Sequence, residues 1–522
     1  MTTSNAGTTV AGAATPEGTA GYAVRRSATG AHAYGLLGHT GLTVCRIGFG
    51  GYRVNDESSM HRGALERALA AGVNLIDTST NYTDGGSERL VGRVVGDAIR
   101  RGRIAREEIV IVSKIGYVQG ENLALAQERE RAARPFPEMV HYQPDCWHCI
   151  HPEFLADQLA RSLRRLEIQT LDVCLLHNPE YFLMDAVRTR GGALDEVRRE
   201  FYRRITEAFR FLEERVAGGT LRWYGVSSNT VAQAVDDPEA TGLTAILAAA
   251  REAGGDGHHF GVLQLPLNLF EAGGVLERND PPDAPATARR TVLDLASAGG
   301  VGVLVNRPLN AVVDRGMVRL AEFSAPAAGA LDRQLEIVGK LEAEYRKDIA
   351  THLRVGPGSD KPEDFLRWAD QLASVRGRIA SVAYWEQIEW QVRGLTARVV
   401  GALDAGIPGG LAARWRAWRD RYRPELDRLL DGFRAEAGGR SQAQSRAITA
   451  AIDPLLPPER RGAGLSRKAL WTLASTPGVS AVLVGMRRPA YVEDATGILG
   501  WPPLAEPRRV YEAFRSLGLP GD

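Results

Sequence analysis

The chain has 522 residues, of which 44% are hydrophobic and 24% are charged, and its formal net charge at pH 7 is +1. This composition is typical of a globular protein, and so small a net charge argues against a surface built for nucleic acid or an acidic membrane. No apolar run is long enough to span a bilayer, and four cysteines without a signal peptide predict a cytoplasmic, reducing location.

Residues 1–33 are rich in small and polar side chains, and we expect them to form a disordered tail. The pair Arg25-Arg26 is not followed by the apolar stretch that an export signal requires. The next segment, YGLLGHTGLTV, places turn residues between apolar positions. It predicts a β-hairpin that closes the floor of the domain after it.

Runs rich in apolar and β-branched residues then alternate with helical patterns. The eight runs lie at 44–50, 72–77, 108–114, 170–177, 221–228, 260–268, 300–309 and 479–485. Strands that alternate with helices predict βαβ units and a parallel sheet. Because the strands are almost continuously apolar, they favour a closed (β/α)8 TIM barrel, formed by 34–314 and 466–510, over an open sheet.

A long helical segment interrupts this rhythm after the seventh run. The strand signal disappears between Leu309 and about Arg467, and we interpret 315–465 as a helical insertion. Connections that follow barrel strands lie on the active-site face, so we expect the insertion to roof or flank the mouth. It contains several of the nine tryptophans, and we interpret these as its own core rather than as a binding site.

Titratable residues end three consecutive strand runs. The second run ends in Asp77, the third in Lys114 and the fourth in His177, and Tyr82 follows the second run in DTSTNYTDGGSE. Each has an ordinary structural explanation when taken alone: a helix cap, a lysine that reaches solvent, a histidine satisfied in the core, a packing tyrosine. The carboxyl ends of barrel strands meet on one face, so together they predict a catalytic group.

These residue types suit the exchange of one proton with a carbonyl or alcohol oxygen. A free tyrosine has a pKa of about 10, and a neighbouring Lys114 cation is expected to lower the pKa of Tyr82. Asp77 would keep Lys114 charged, and His177 would orient a substrate oxygen. The sequence contains no metal-ligand pattern and no serine or cysteine nucleophile beside a base. A nicotinamide is therefore the natural hydride carrier.

The sequence resembles the aldo-keto reductase superfamily. The resemblance lies in LLGHTGLTVCRIGFGGY, AGVNLIDTSTNYTDGGSERLVG, IVSKIGY, SLRRLEIQTLDVCLLHNPE, GTLRWYGVSS, LQLPLN, NRPL and STPGVSAVLVGMRR, in family order. It implies a (β/α)8 barrel whose Asp–Tyr–Lys–His tetrad falls on Asp77, Tyr82, Lys114 and His177. It also implies NADP(H), less often NAD(H), bound without a Rossmann domain, and no strand–GxGxxG–helix unit is present.

The resemblance implies cofactor-binding positions as well. They are Gly51, Tyr52, Asp77, Ser227, Ser228, Gln264, Pro308, Leu309, Asn310, Gly485, Arg487, Tyr491 and Asp494. The chain departs from the family at Leu267, where many members have a stacking tyrosine, and at Ala495, where an asparagine contacts adenine. Arg487 and Arg488 favour the 2′-phosphate of NADP(H), and NAD(H) stays open as the alternative.

A cluster of cysteines and histidines lies before the fourth run, in DCWHCIHPE. Its potential ligands are Cys146, His148, Cys149 and His151, but a second CxxC or HxxxH pair is missing. The motif also does not open a helix after a thioredoxin-like strand. We expect a structural or pocket-lining role, with a metal site or a redox pair as the alternatives, and we predict no metal.

The leading functional hypothesis is an NAD(P)-dependent oxidoreductase that interconverts a carbonyl and an alcohol. Tyr117, Trp147 and Tyr181 are candidate substrate-binding residues, and aromatic side chains beside polar ones suit a small aldehyde, ketone or sugar. Within the family, the sugar-dehydrogenase-like branch is the nearest in character. The alternative is a cofactor-sensing regulatory or binding protein that uses the insertion as a docking surface. The sequence does not indicate an oligomeric state.

Overall fold

The computed structural model of the chain describes residues 9–26, 30–189, 194–282, 284–313, 316–323, 331–353 and 361–516. These residues divide into two compact units. The first unit comprises the described residues up to Leu309 and those from Ser466 onward, and the second comprises those in Asn310–Leu465. None of the described helices is both long and apolar enough to cross a membrane.

The strands are numbered in chain order. They are β1 (Tyr34–Leu36), β2 (Thr43–Cys45), β3 (Ile47–Gly50), β4 (Leu75–Asp77), β5 (Val110–Ile115), β6 (Tyr117–Val118), β7 (Val140–Gln143), β8 (Cys146–His148), β9 (Leu171–His177), β10 (Leu221–Ser227), β11 (Phe260–Pro266), β12 (Gly302–Asn306), β13 (Asn310–Val313), β14 (Gly316–Arg319) and β15 (Ala481–Val484).

Eight of the strands close into a barrel, in the order β3-β4-β5-β9-β10-β11-β12-β15. All neighbouring pairs run parallel. Seven barrel strands fall within the apolar runs and β5 extends one residue beyond the third run, so the predicted (β/α)8 barrel is confirmed. Because the strands are parallel, their carboxyl ends lie at one end of the barrel, which is where this fold carries its active sites.

The helices are also numbered in chain order. They are α1 (Pro16–Arg25), α2 (Ser59–Ala70), α3 (Gly86–Arg100), α4 (Gly120–Arg131), α5 (Pro152–Leu166), α6 (Tyr181–Thr189), α7 (Leu194–Ala217), α8 (Leu243–Gly254), α9 (Gly273–Leu276), α10 (Val292–Ala298), α11 (Leu331–Asp348), α12 (Trp368–Val375), α13 (Val382–Gly406), α14 (Gly409–Ile452), α15 (Leu465–Ala474), α16 (Pro489–Thr496) and α17 (Pro507–Ser516).

The hairpin β1–β2 closes one end of the barrel, as the sequence predicts. Its Leu37, Leu42 and Val44 belong to the same buried cluster as barrel residues such as Leu75 and Val262. Full burial of one such side chain contributes about 1.5–3 kcal/mol. The barrel interior is therefore a packed core rather than a pore.

The expected disordered tail, 1–33, is wrong for residues 9–26. The Thr15 hydroxyl caps α1, and the buried Ala14 donates its backbone N–H to Asp172 Oδ1 at 2.6 Å. A Cβ on Gly18 would lie 2.4 Å from the Glu107 carbonyl oxygen. The small residues that suggested disorder thus permit close packing against the barrel. Residues 1–8 and 27–29 lie outside the described part of the chain.

The second unit is mainly helical and has its own hydrophobic core. Trp385, Trp415 and Trp418 are fully buried in that core, whereas Trp390 is 78% exposed. The predicted loss of strand signal after Leu309 is wrong at one place, because β13 and β14 pair as an antiparallel hairpin. For this reason the unit begins at Asn310 rather than at the expected residue 315, and it ends at Leu465.

Candidate active site

Lys114 lies next to the last residue of β5, and its side chain is fully buried. Its Nζ donates to Asp77 Oδ2 at 2.7 Å, to the Thr78 carbonyl at 2.9 Å and to the Tyr82 hydroxyl at 3.2 Å. These three acceptors match the three hydrogens of an ammonium group. Burial lowers the pKa of Lys114, but the Asp77 and Tyr82 interactions raise it more, so the net direction is upward and the lysine is a cation.

Asp77 is the last residue of β4 and is held on both sides of its carboxylate. Oδ2 accepts from Lys114, and Oδ1 accepts from Gln264 Nε2 at 2.8 Å. Gln264 Oε1 in turn accepts from the Ser227 hydroxyl at 3.1 Å. Burial raises the pKa of Asp77, while Lys114 and Gln264 act to lower it. A continuous series of hydrogen bonds therefore orients this carboxylate across the barrel mouth.

Tyr82 follows β4 in a loop that is bonded to the next strand. Thr80 donates its backbone N–H to the Lys114 carbonyl at 3.1 Å, and Tyr82 donates to the Ser79 carbonyl at 3.2 Å. Because Lys114 donates to the phenol oxygen, the phenol proton is free to be donated into the pocket.

The pKa of Tyr82 differs from the sequence expectation. Burial raises it above its ordinary value, and the Lys114 cation offsets only part of that rise. The nearby Asp77 carboxylate adds to the rise. The expectation that Lys114 lowers the pKa of Tyr82 below about 10 is thus wrong for the protein alone. Tyr82 is a phenol, able to give a proton, at neutral pH.

His177 is the last residue of β9 and faces Tyr82 across the site. The two rings meet edge to face with centroids 5.9 Å apart, and His177 Nδ1 lies 3.0 Å from the Ser79 hydroxyl oxygen. Burial, followed by the charges of Lys114 and His148, holds the pKa of His177 well below its usual range. The imidazole is therefore neutral at physiological pH. The structure thus brings all four predicted tetrad residues together.

Aromatic side chains, among them Tyr117 and Tyr181, pack beside His177. Tyr117 packs edge to face on the His177 ring at 4.5 Å, accepts from Asn178 Nδ2 at 3.1 Å and donates to the Tyr181 hydroxyl at 3.0 Å. Trp147, in the small sheet β6-β8-β7, packs against His141 with centroids 4.2 Å apart. Of the three predicted substrate residues, Tyr117 and Tyr181 therefore share one polar chain next to the tetrad.

The cysteine–histidine cluster has structural partners. Cys149 donates to the Pro137 carbonyl at 3.4 Å, and His151 caps α5 by accepting from the Glu153 N–H at 3.3 Å. His148 bonds the His177 carbonyl oxygen at 2.7 Å and stacks on Tyr181. Among the described residues no group of three or more His, Cys, Asp or Glu is arranged to hold a metal ion.

Gly51 and Tyr52 follow β3 at the rim of the site. Gly51 donates its N–H to the Asp77 carbonyl at 2.7 Å, and a Cβ there would lie 2.6 Å from the Ser87 hydroxyl, so only glycine fits. Tyr52 is 58% exposed, and its ring meets Tyr82 edge to face at 5.3 Å. Both therefore adjoin the tetrad.

Ser227 and Ser228 have separate partners. Ser227 is bonded to Gln264, next to Asp77, but Ser228 Oγ accepts from the Thr230 N–H at 3.1 Å and lies 3.2 Å from Thr241 Oγ1. The two hydroxyl groups thus belong to different clusters. The structure brings Ser227 and Gln264 together and does not bring Ser228 into the same hydrogen-bonded group.

The predicted pyrophosphate loop follows β12. Pro308 is buried and Leu309 is partly exposed, and they form the turn after the strand. Asn310 belongs to the second unit, where it begins β13 and its Oδ1 accepts from Arg319 Nε at 3.1 Å. A role for these three residues in cofactor binding stays a prediction.

The segment after β15 leads into α16. Gly485 is exposed, and a Cβ there would meet no atom within 4 Å. Arg487 is partly exposed. Tyr491 is 43% exposed, and the Arg488 guanidinium lies 6.0 Å from the centroid of the Tyr491 ring. This part of the rim therefore offers exposed cationic and aromatic groups at the start of a helix.

Asp494 has hydrogen-bond partners within the protein. Its carboxylate accepts from the Ser466 hydroxyl at 2.6 Å and from Arg467 Nε at 2.9 Å. These bonds tie α16 to α15. Asp494 thus stabilises the contact between two helices, and cofactor binding by it stays a prediction.

Asn306 is a site residue that the sequence reasoning missed. At the end of β12, its Nδ2 donates to Gln264 Oε1 at 3.3 Å, and its Oδ1 is buried with no partner among the described residues. Asn306, Ser227 and Gln264 place one hydroxyl and two amide groups at or near the carboxyl ends of three neighbouring strands, β10, β11 and β12. This set of donors and acceptors fits the carboxamide of a nicotinamide. The sequence signal is a polar residue inside the seventh apolar run, where β12 ends.

Glu180 is a second missed residue, three positions after His177. It is 1% exposed, its Oε1 accepts from the Asn229 N–H at 2.6 Å, and its Oε2 has no partner in the described part of the chain. Burial raises the pKa of Glu180 to about 7. Glu180 therefore links the loop after β9 to the loop after β10 and titrates near neutrality.

The raised pKa of Glu180 makes stability depend on pH. Between 4.5, the ordinary value, and about 7, the folded state binds more protons than the unfolded state, so the free energy of unfolding falls as pH rises. The expected loss is roughly 3 kcal/mol. Glu180→Gln should remove this part of the pH dependence. Denaturant titrations at acid and alkaline pH measure the free energy of unfolding. If this free energy changed with pH equally in the variant and the wild type, the assignment would be contradicted.

Comparison with known proteins gives a family match. Residues 46–246 match the model of the aldo/keto reductase family. The NADH-specific methylglyoxal reductase of Escherichia coli strain K12 is 28% identical over 150 residues, which are 27% of this chain and 40% of that protein. The NADPH-dependent D-xylose reductase of Meyerozyma guilliermondii is 24% identical over 196 residues, which are 36% of this chain and 50% of that protein.

The chain thus spans half the length, or less, of these two curated relatives. Among solved structures, the aldo-keto reductase AKR11C1 from Bacillus halodurans in its holo form aligns over 92% of this chain and 95% of its own. The identity is 16% and the TM-score is 0.45.

Proposed function

We propose that this chain, in which residues 46–246 match the aldo/keto reductase family model, is an oxidoreductase that transfers a hydride between NADP(H) or NAD(H) and a carbonyl or alcohol substrate. One observation carries the proposal. The buried Lys114 ammonium donates one hydrogen bond each to Asp77, Thr78 and Tyr82. Because the Tyr82 oxygen accepts from Lys114, its own proton is free at the barrel mouth.

The roles of the tetrad follow from this geometry. Tyr82 donates its proton to the carbonyl oxygen during reduction, and Lys114 stabilises the phenolate that remains. Asp77 keeps Lys114 charged. The neutral His177 orients the substrate oxygen by a hydrogen bond from the ring. A nicotinamide held at this site would supply a hydride to the carbonyl carbon, and with the Tyr82 proton on the oxygen the product would be the alcohol.

The cofactor would be held at its two ends by different groups. Ser227, Gln264 and Asn306 suit the carboxamide, since they combine a hydroxyl with two amides. Arg487 and Arg488 precede α16, where the helix N-terminus favours a phosphate. The two arginines support NADP(H), while one relative is named NADH-specific and another NADPH-dependent, so NAD(H) stays the alternative.

The substrate pocket suits a small polar carbonyl compound. Asn178 donates to Tyr117, and Tyr117 donates to Tyr181, so the Tyr181 proton is available for a substrate oxygen. Aromatic rings that carry hydroxyl groups suit an aldehyde, a ketone or a sugar. The names of the relatives, a methylglyoxal reductase and a D-xylose reductase, lie within this class.

A turnover assay tests the proposal. The purified protein is mixed with NADPH or NADH and with methylglyoxal, D-xylose or a panel of other aldehydes and ketones, and loss of the reduced cofactor is followed by absorbance. We expect turnover of at least one carbonyl, with NADPH preferred. Cofactor binding is measured separately by quenching of protein fluorescence.

The binding assay distinguishes two reasons for a lack of turnover: a protein that binds the cofactor without reducing a carbonyl, and a protein that binds no cofactor. Cofactor binding without turnover of any carbonyl or alcohol would overturn the enzyme proposal and favour the cofactor-sensing alternative. Failure to bind either nucleotide would overturn both, because both rest on the same barrel site.

A further inference from the structure

Gln264, on β11, contacts Asp77 from the opposite side of the barrel. The strands β4 and β11 are four places apart in either direction around the closed barrel. Gln264 Nε2 nevertheless donates to Asp77 Oδ1 at 2.8 Å, and Gln264 is only 1% exposed. Lys114, on the neighbouring strand β5, donates to the other oxygen, Oδ2, at 2.7 Å. The carboxylate is thus held between an adjacent strand and the opposite strand.

The direction of these hydrogen bonds follows from the charge of Asp77. An ionised carboxylate only accepts hydrogen bonds, so the NH₂ end of the Gln264 amide must face it. The oxygen end, Oε1, then accepts from the Ser227 hydroxyl at 3.1 Å and from Asn306 Nδ2 at 3.3 Å. A half-turn of the amide would place its oxygen 2.8 Å from a carboxylate oxygen, which is repulsive. Gln264 therefore has one favoured orientation, with its donor on Asp77.

The orientation of Asp77 in turn affects where the Lys114 ammonium lies. The last torsion of an aspartate side chain is broad, so contact with one lysine does not fix the plane of the carboxylate. Gln264 supplies the second contact, from the far side of the mouth. The ammonium is shared by Asp77, Thr78 and Tyr82, and its bond to the Tyr82 oxygen, at 3.2 Å, is the longest of the three. Rotation of Asp77 would therefore weaken that bond first.

We propose that Gln264 is a positioning residue for the proton donor of the reaction. It holds Asp77, and the oriented Asp77 keeps Lys114 within hydrogen-bond distance of the Tyr82 oxygen. The inference rests on the proposed function, in which Lys114 stabilises the phenolate left on Tyr82. This role is separate from contact with the carboxamide, because it acts through Asp77 and changes the pH dependence of reduction as well as the affinity for the cofactor.

Gln264→Met in the full-length protein removes the donor and keeps an unbranched side chain. For a carbonyl that the wild type reduces, kcat should fall by roughly 10-fold, the lower end for loss of a hydrogen bond to a charged group. Because Lys114 then stabilises the Tyr82 phenolate less, the pKa of Tyr82 rises and the fall in rate should move to higher pH. Steady-state kinetics across the pH range measure both effects, and a fluorescence titration measures NADPH affinity.

The matched control is Gln158→Met. Gln158 is also fully buried and donates to a carboxylate, Asp157 Oδ2, at 2.9 Å, but it lies in α5, outside the site. This variant loses the same amide group and should keep the wild-type kcat and pH profile.

Gln264→Glu should show a rescue that depends on pH. At about pH 5 the introduced carboxyl group is mostly neutral, because the nearby carboxylate raises its pKa above the ordinary 4.3, and its hydroxyl can donate to Asp77. Once it ionises, two carboxylates face each other and the bond is lost. The other titratable groups at the mouth are Lys114, Tyr82 and His177. We expect near-wild-type kcat at acid pH and an additional fall in rate well below the fall that Tyr82 causes.

Denaturation of the cofactor-free protein tests the contact without turnover. The folded Gln264→Glu protein binds a proton that the unfolded chain loses at lower pH, so its denaturation midpoint should drop further below the wild-type midpoint as pH rises. In the Asp77→Asn background the repelling carboxylate is absent. The drop caused by Gln264→Glu should therefore depend less on pH in that background.

The outcomes separate the proposal from its premise. Gln264→Met with weaker NADPH binding but the wild-type kcat and pH profile would overturn the proposal, since Gln264 would then act on the cofactor alone. An equal dependence on pH in the two backgrounds at Asp77 would overturn it as well. Absence of turnover by the wild type, with the expected denaturation results, would count against the proposed function and not against the role of Gln264 in holding Asp77.

Discussion

Replacement of Tyr82 by phenylalanine should abolish most carbonyl reduction while the protein still folds and binds NADPH. The phenol proton is the one left free by the Lys114 ammonium, and its removal deletes the proton donor without changing the shape of the side chain. General acid catalysis contributes typically about 10²–10⁴-fold, so kcat should fall by that factor. Steady-state kinetics and a fluorescence titration with NADPH measure the two effects.

The matched control is Tyr22→Phe. Tyr22 is also buried and donates its phenol hydrogen to the Leu69 carbonyl at 3.3 Å, but it lies in α1, outside the tetrad. That variant loses the same atom and should keep wild-type kcat. Full activity of Tyr82→Phe would show that another group protonates the substrate, and loss of NADPH affinity in Tyr82→Phe would show that Tyr82 acts in binding.

The pair formed by Asp77 and Lys114 should show the largest effect on stability. Lys114 is fully buried and the Asp77 side chain is 5% exposed, so Asp77→Asn leaves a cation in the core without its counter-charge. Breaking a buried pair in this way costs roughly 3–5 kcal/mol. The double variant Asp77→Asn/Lys114→Met removes both charges and should be more stable than Asp77→Asn alone. Chemical denaturation of the single and double variants measures the coupling.

Lys114→Met should also change the pH dependence of reduction. Tyr82 must be protonated to act, so the rate falls as pH rises through the pKa of Tyr82. The Lys114 cation lowers that pKa, against the rise caused by burial, and its removal should move the fall in rate to higher pH. An unchanged pH profile in Lys114→Met would show that Lys114 does not lower the pKa of Tyr82. An Asp77→Asn protein as stable and active as the wild type would show that Asp77 and Lys114 are not partners.

The tetrad shows how far the sequence goes in predicting a site. Asp77, Lys114 and His177 could be placed at one end of a barrel because each ends an apolar run, and parallel strands put their carboxyl ends together. The direction in which the pKa of Tyr82 shifts from its ordinary value could not be predicted. It depends on the balance between burial and the Lys114 charge, and burial is the larger effect.

The sequence by itself determined the barrel, since eight apolar runs separated by helical patterns leave few other ways to bury their side chains. Only the tertiary structure decided that small residues such as Ala14 and Gly18 pack against the barrel instead of remaining a free tail. The tertiary structure alone also decided that the Ser79 hydroxyl is hydrogen-bonded to His177, 98 positions away, and that Asp494 accepts a hydrogen bond from Arg467. The periodicity of side chains along an element is a local property of the chain, but the partner of a polar group is set by which distant segments fold next to it.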